Sequence, residues 1–456
     1  MLVRVAGRFV KFVKSFSHHF KSYRHDVSDK ARQYACGLMQ AGVRKNMDRM
    51  EEVVPGSNSR NLQQFLTHSK WDARAVIDQV GSEVDAHLGD KKSAALLIDE
   101  SAFAKQGSRS VGVARQWLGR LGKVDNGQVA VFGALANGRF VAPIDVRLYL
   151  PKQWTQDPER CKKAGIPEVD RVFLTKEQQA LMIVEHAIAM ERRFGWVGAD
   201  AGYGKTPSFC LALDRMGQQF VVDLHSDLRV YLQDPHPYIP ERKSNRGPKF
   251  KRYRSDAKPV EVKDVVKRFE LASQPTLKVR RTTRGPLKVR VLRVPVYVWD
   301  GKSATAAKWS LVATQTLAKR PEVKISLTNA PESTDLARLA WMQLQQRYWV
   351  ERAFEDGKSE CGMADYQVRK WSAWHHHMAI VMTAMLFMLS ERIRHQENLP
   401  LLSCADIEEL LSRFLPRRDV TREEVLRQMG QRHRRRQAAI ESRTRVALAR
   451  GASATG

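Results

Sequence analysis

Apolar positions change their spacing several times along this chain, and each change predicts a different kind of structure. Up to about residue 90 they recur at helical intervals, with Gly and Pro concentrated in the break PGSNSR at 55–60. A small helical domain over 1–90 follows. From residue 94 the pattern tightens. AALLIDES is a short apolar run ending in Asp99 and Glu100, as expected of a buried strand that delivers an acid at its end. QVAVFGALANGRFVAPIDVRLYLP predicts two strands turned at Asn137-Gly138. A helix begins at Thr175, where Gln178 completes a capping box, and runs to about Arg193. WVGAD at 196–200 is another strand ending in an acid, followed by a helix after Pro207 and the strand QFVVDL. Residues 91–228 therefore read as a mixed sheet with helices packed on it.

Between 229 and 330 the apolar residues alternate with basic ones. ERKSNRGPKFKRYRSDAKP is loop-like, and TLKVRRTTRGPLKVRVLRVPVYVWD predicts strands with one cationic face. At 331–362 the spacing is helical again. Ser333 or Thr334 offers the N-cap and Asp335 lies in the first turn. On this helix Arg347, Glu351 and Lys358 fall at i, i+4 and i+11, roughly on one face, with Glu355 a turn beyond Glu351. The apolar run 378–389 is too short to span a bilayer and predicts a buried helix over 378–394. The histidines 375–377 sit at its polar start, and three in a row cannot all face one metal. Region 331–400 rejoins the sheet. Region 401–456 carries an acidic-then-apolar helix at 406–415, a second helix opened by a Thr421–Glu424 capping box, and an Arg-rich tail expected to be mobile and to bind nucleic acid weakly.

Charge changes this picture most. A formal net charge of +28 makes a polyanion the expected partner, most simply nucleic acid. Residues 242–293 hold 18 Lys and Arg against 4 Asp and Glu, half the net charge of the chain. A sheet face with so many cations repels itself, so it is read as a phosphate-contacting surface, with Lys249, Lys251, Arg252, Arg280, Arg281 and Arg284 as candidate contacts. The five cysteines are scattered without a C-x-x-C pair, which argues against a disulfide framework or a zinc site and fits a reducing, cytoplasmic compartment. The N-terminus is Ser-rich and basic, without acids until Asp26. It imitates an organellar transit peptide but is read as a basic helical arm that contacts DNA.

Asp99, Asp200 and Glu351 are carboxylates that two neighbouring strand ends and a helix crossing the sheet could gather. Three acids in one cleft repel one another unless cations hold them, and oxygen-only ligands suit Mg²⁺ or Mn²⁺. Two such ions about 4 Å apart would support in-line attack on a phosphodiester, with Arg347 and Lys358 holding DNA phosphates. A decoy lies at the second acid: GADAGYGKT ends like a phosphate-cradling loop, but the glycine that motif needs at 199 is Ala199, which sets an ATPase aside.

These residues resemble the DDE-superfamily transposases of insertion sequences, whose signature Y-x2-R-x3-E-x6-K is matched by Arg347, Glu351 and Lys358. The resemblance is strongest to the IS-seven-hundred-one-like branch of the IS-four-like clan, through LLIDESAFAKQGSRSVGVARQW (96–117), LYLPKQW (148–154) and DAGYG (200–204). It runs from about residue 36 to 390. It implies a ribonuclease-H-like mixed sheet with flanking helices, a β-strand-rich insertion at 229–330 before the catalytic Glu helix, and a helical N-terminal domain. It further implies Asp99, Asp200 and Glu351 as metal-binding catalytic acids, and Arg347 and Lys358 as DNA contacts. The expected activity is cleavage at element ends and transfer of 3′-hydroxyls into target DNA by a homodimer in a synaptic complex, without membrane or small-molecule substrate, at the bacterial nucleoid. In some relatives a Trp of the insertion stacks on a flipped base of a hairpin intermediate; Trp299 is the first candidate and Trp309 the second. The signature Tyr is replaced by Leu344, so its phosphate contact is lost or supplied by Tyr348. A stand-alone nuclease of the same fold and a silent DNA-binding relic are the alternative readings.

Overall fold

Among the described residues, ten strands hydrogen-bond into one sheet, although they come from two stretches of very different composition. The computed structural model describes residues 2–23, 25–42, 44–241, 250–282 and 285–452, with only the backbone described at 3, 120, 281, 282, 346, 347, 446 and 449–452. The apolar stretch supplies β1 (Ala95–Ala104), β2 (Ala114–Leu118), β3 (Lys123–Asn137), β4 (Phe140–Leu148), β5 (Trp196–Ala199) and β6 (Phe220–Asp223). The basic stretch supplies β7 (Thr276–Thr282), β8 (Gly285–Val298), β9 (Ala307–Thr316) and β10 (Val323–Thr328). Their order is β7-β8-β9-β10-β6-β5-β1-β3-β2, with β4 on the far half of β3. β1, β5 and β6 are parallel and the remaining pairs antiparallel, so the sheet is mixed. The basic strands join through the β10–β6 pairing, Ser326 opposite Asp223.

Helices α1 (Val5–Ser15), α2 (Ser28–Gln40), α3 (Met47–Val53), α4 (Ser59–Thr67) and α5 (Ala73–Leu88) precede the sheet. Helix α6 (Lys176–Ala189) lies between β4 and β5 and α7 (Pro207–Arg215) between β5 and β6, and α8 (Leu336–Ser359), α9 (Trp371–Arg394), α10 (Cys404–Phe414) and α11 (Arg422–Ala452) follow the last strand. A single residue pair shows why helices cover both faces. Gly133 lies opposite Ile98, and a Cβ there would meet Ile183 Cγ2 of α6 at 2.5 Å. The next pair, Asp99 and Phe132, points the other way. There Phe132 meets Phe354 of α8 edge-on, ring centroids 5.1 Å apart. So α6 packs on one face and α8 crosses the other.

The capping box at Thr175 and Gln178 and the Asn137-Gly138 turn, with Gly138 at φ +60°, form as their sequences predict. Three expectations are corrected. β1 does not end at its acids but runs to Ala104, because β3 is long enough to keep pairing with it as far as Gly127. The N-cap of α8 is Asp335, which accepts a hydrogen bond from the Arg338 backbone amide. The histidine triplet lies inside α9: His376 stacks on Trp71 at 3.9 Å, and His377 Nδ1 lies 2.8 Å from the Tyr34 hydroxyl. The N-terminal arm is helical, as expected, and its Phe9 meets Phe387 of α9 at 5.0 Å while its Arg8 pairs with buried Glu391. α9 itself is buried almost all round, as its apolar run predicts. No helix among the described residues is long and apolar enough to cross a membrane.

Candidate active site

The register of the parallel strands decides which acids meet. Ile98 of β1 pairs with Ala199 of β5, the last residue of that strand. One step on, Asp99 and Asp200 come side by side, on the face opposite Ile98 and hence under α8. Asp200 opens a tight turn in which Tyr203 and Gly204 amides donate to its carbonyl (3.2 and 3.3 Å) and the Gly202 amide to its Oδ1 (3.0 Å). Gly204 is required there: a Cβ would stand 2.0 Å from the Asp223 carbonyl oxygen. The DAGYG glycines thus serve the acid's turn, and α7 begins only at Pro207.

On α8, Glu351, Phe354 and Lys358 share a face by helical spacing. Phe354 is seated on Phe132, and Lys358 Nζ lies 5.5 Å over the ring of Phe103, four residues along β1 from Asp99. Glu351 therefore faces the two aspartates, and all three line a cleft of about 1270 Å³. Burial pushes the Asp99 carboxyl well above the usual range, and the charges of Asp200 and, more weakly, Glu351 push it further. Burial also raises Glu100, against the opposing pull of Lys176, its ion-pair partner. The Tyr203 hydroxyl is buried, and has no hydrogen-bond partner among the described residues. Its pKa is raised by burial and then by the charges of Glu100, Asp99 and Asp200.

Several residues that line this cleft escape a reading of the sequence: Lys176, Glu177, Tyr203, Lys205, Asp223 and His225. Asp223 carries the same signal as Asp99 and Asp200, an acid closing an apolar strand. It accepts a hydrogen bond from the Ser326 hydroxyl on β10. Lys176 has no local signature, and Tyr203 has one only as a member of the DAGYG motif (200–204).

The basic candidates are scattered. Lys249 and Arg284 lie outside the described residues, as do the side chains of Arg281 and Arg347. Lys251 and Arg252 are exposed. The cationic strands do not present one face. Val291 pairs with Thr314, whose hydroxyl bonds Gln343 of α8, so Lys278, Lys288 and Arg290 point away from α8. A bulge between Lys278 and Arg280 turns Arg280 back toward the helix. Its guanidinium stands 4.7 Å over the ring of half-exposed Tyr348, one turn before Glu351. Trp309 is buried edge-on to Phe220 at 5.1 Å, a core residue. Trp299 donates its indole N–H to the Ser303 carbonyl (2.8 Å) in the turn between β8 and β9.

Lys105 ties the end of β1 to the segment that follows α8. It follows β1 and donates to the Tyr366 carbonyl (2.9 Å) just beyond α8, with its ammonium 3.3 Å from the centre of the Tyr366 ring. Burial brings its pKa down to about 7, against the opposing charge of Asp365. A lysine depressed in the folded state costs stability below that value and regains it as pH rises toward the ordinary lysine range. The melting temperature of wild type relative to Lys105→Met is therefore expected to rise between about pH 6.5 and 9.5. Parallel curves in a fluorimetric melting series would rule this out.

The donor set is entirely carboxylate oxygen, the chemistry that suits Mg²⁺ or Mn²⁺. A buried carboxyl held up by neighbouring negative charge also fits a cation, which would relieve that repulsion. Among the described residues, no three His, Cys, Asp or Glu side chains already stand close enough to form a metal site.

Compared with known proteins, residues 12–286 match the family model described as DDE superfamily endonuclease, well over half of the chain. The match includes Asp99 and Asp200 and ends before Glu351. The chain is 30% identical over 229 residues to a probable transposase for insertion sequence element IS701 from Microchaete diplosiphon. That alignment covers 49% of this chain and 56% of the relative, so the chain spans little more than half the length of the curated relative it matches. A cryo-EM structure of the piggyBac transposase synaptic complex with hairpin DNA aligns over 92% of this chain and 86% of its own, with 11% identity and a TM-score of 0.34.

Proposed function

The chain belongs to the DDE superfamily of endonucleases, and from that premise we propose that it is a transposase, which cuts DNA at the ends of its own element and joins the 3′-hydroxyls to target DNA. The observation that carries the reading is the register that sets Asp99 beside Asp200 on the face crossed by the Glu351 helix. In this reading β1, β3, β4, β5 and β6 are the strands of a ribonuclease-H-like domain, and 229–330 is an insertion whose strands widen its sheet. Residues 1–90 form the unit that recognises element ends, and two copies act together in a synaptic complex at the bacterial nucleoid.

Asp99, Asp200 and Glu351 would together hold a pair of Mg²⁺ or Mn²⁺ ions. Such a pair, when bound, lowers the pKa of an attacking hydroxyl and stabilises the leaving oxygen. The chain's own residues do the rest. The hydrophobic seat of Phe354 on Phe132 fixes the Glu351 helix over the aspartates. Lys358, held over Phe103, meets the backbone phosphates at the mouth of the cleft, together with Arg347. Tyr348, under Arg280, takes the phosphate contact that Leu344 cannot make.

The test is cleavage and joining of labelled DNA that carries the element's ends, with Mg²⁺, with EDTA, and with Glu351→Gln. Metal-dependent cleavage and joining that Glu351→Gln loses, with DNA binding intact, is the expected result. Cleavage without joining would replace the transposase with a nuclease. Binding without cleavage under any divalent ion would make the chain a relic.

A further inference from the structure

Two buried hydroxyls line the cleft without a hydrogen-bond partner among the described residues, those of Ser101 and Tyr203. An unpaired polar group is costly to bury, so each needs a reason to be kept. Tyr203 is the larger case. Its side chain is 2% exposed, and it belongs to the turn that carries Asp200, where its own amide donates to the Asp200 carbonyl (3.2 Å). Its ring lies 5.3 Å from that of Phe209, a buried residue of α7. Phenylalanine would fill the same seat without burying a hydroxyl, so packing alone does not account for a tyrosine there.

What surrounds the hydroxyl is acid. Besides burial, the charges that act on it are those of Glu100, Asp99, Asp200 and Glu177, in that order, and all of them hold its proton in place. Toward a carboxylate such a phenol is a donor. The four acids differ in what they already have. Glu100 is paired with Lys176. Glu177 accepts from the Thr206 and Ser208 hydroxyls at 3.5 Å each. Asp200 is held within its own turn by the Gly202 amide (3.0 Å). Asp99 accepts a single hydrogen bond among the described residues, from the Glu100 amide (2.6 Å). An ionised carboxylate has about four acceptor positions.

We propose that Tyr203 is a positioning residue of the site: its hydroxyl donates to the Asp99 carboxylate when the three acids close on a cation, and so fixes which way that carboxylate faces. The inference rests on the proposed function in taking a divalent ion as what the acids hold. Among the described residues Asp99, Asp200 and Glu351 do not stand close enough to form a metal site, so one open arrangement leaves the acids apart and the donor unpaired. Partners of this kind behind a liganding carboxylate are worth about 10- to 100-fold in metal affinity.

The test reads metal affinity and stability. Mn²⁺ is titrated into the full chain by isothermal calorimetry, and melting is followed without metal and with Mn²⁺ at one fixed concentration. Tyr203→Phe should weaken Mn²⁺ binding by about 10-fold or more. Without metal it should melt at the wild-type temperature or above, since it removes a buried hydroxyl that has no partner. Its gain in melting temperature on adding Mn²⁺ should be smaller than that of wild type. Tyr34→Phe is the comparison. Tyr34 is as buried, but its hydroxyl already has a partner, His377 Nδ1 at 2.8 Å, so that variant should lose stability and keep its Mn²⁺ affinity. An unchanged Mn²⁺ affinity in Tyr203→Phe overturns the inference and leaves the proposed function standing. A Tyr203→Phe chain that does not fold overturns it too, because the hydroxyl would then be structural. A loss of affinity confined to Ser101→Ala would move the role to that hydroxyl. Failure of wild type to bind Mn²⁺ would overturn both the inference and the metal chemistry of the proposed function.

Discussion

Asp99→Asn is expected to abolish strand cleavage, by about 10³-fold or more for loss of one electrostatic element of a reacting centre, and at the same time to make the protein more stable at neutral pH. The two effects have one cause. Burial and the charges of Asp200 and Glu351 raise the folded pKa of Asp99 well above its ordinary value. A carboxyl raised on folding favours the folded state at acid pH, and that contribution is lost as pH rises through the folded pKa. Wild type therefore carries a charge penalty at neutral pH that asparagine does not. Asparagine can still accept the Glu100 amide hydrogen bond that Asp99 Oδ1 accepts at 2.6 Å. Melting curves from about pH 4 to 8 without divalent ions should show the variant pulling ahead of wild type as pH rises. Added Mg²⁺ should raise the melting temperature of wild type and narrow the gap, because a ligand bound only to the folded state stabilises it. A variant that is less stable than wild type at neutral pH, or that still cuts, would contradict the placement of Asp99 among these charges.

Gly204→Ala should be the most damaging small substitution in the site. The added methyl would stand 2.0 Å from the Asp223 carbonyl oxygen and 3.0 Å from Leu224 Cδ2. The first cannot give cheaply, since it is backbone at the end of β6. The turn carrying Asp200 must move, and with it the second acid. Overpacking of this kind costs about 3 kcal/mol at the upper end of its usual range. A displacement near about 1 Å at a reacting group costs about 100-fold in rate. Denaturant unfolding and single-turnover cleavage measure the two losses. Gly7→Ala is the control. Nothing lies within 4 Å of the position its methyl would take, and it sits within α1. It should be neutral or stabilising by up to about 1 kcal/mol. Equal behaviour of the two variants would show that the turn is not held as described.

Local features can be read from the chain alone. The switch from helical to strand spacing at residue 94, the Asn137-Gly138 turn, the capping box at Thr175 and the buried apolar helix are all set by residues within one or two turns of each other. Asp99, Asp200 and Glu351 are legible for the same reason, as acids at the ends of apolar runs and on one face of a helix. Tertiary structure decides what depends on a distant partner. β1 continues past Asp99 because β3 is there to pair with it. Arg280 leaves the cationic face because a bulge against β8 shifts its register, and a one-residue shift moves a side chain to the other face of a sheet. The tail is a clamped helix because Asp48, Glu51 and Glu52 neutralise one of its sides, across 384 residues of chain in the case of the Arg435–Glu51 bond. Spacing along a chain reports which residues share a face; only the packed fold reports what that face meets.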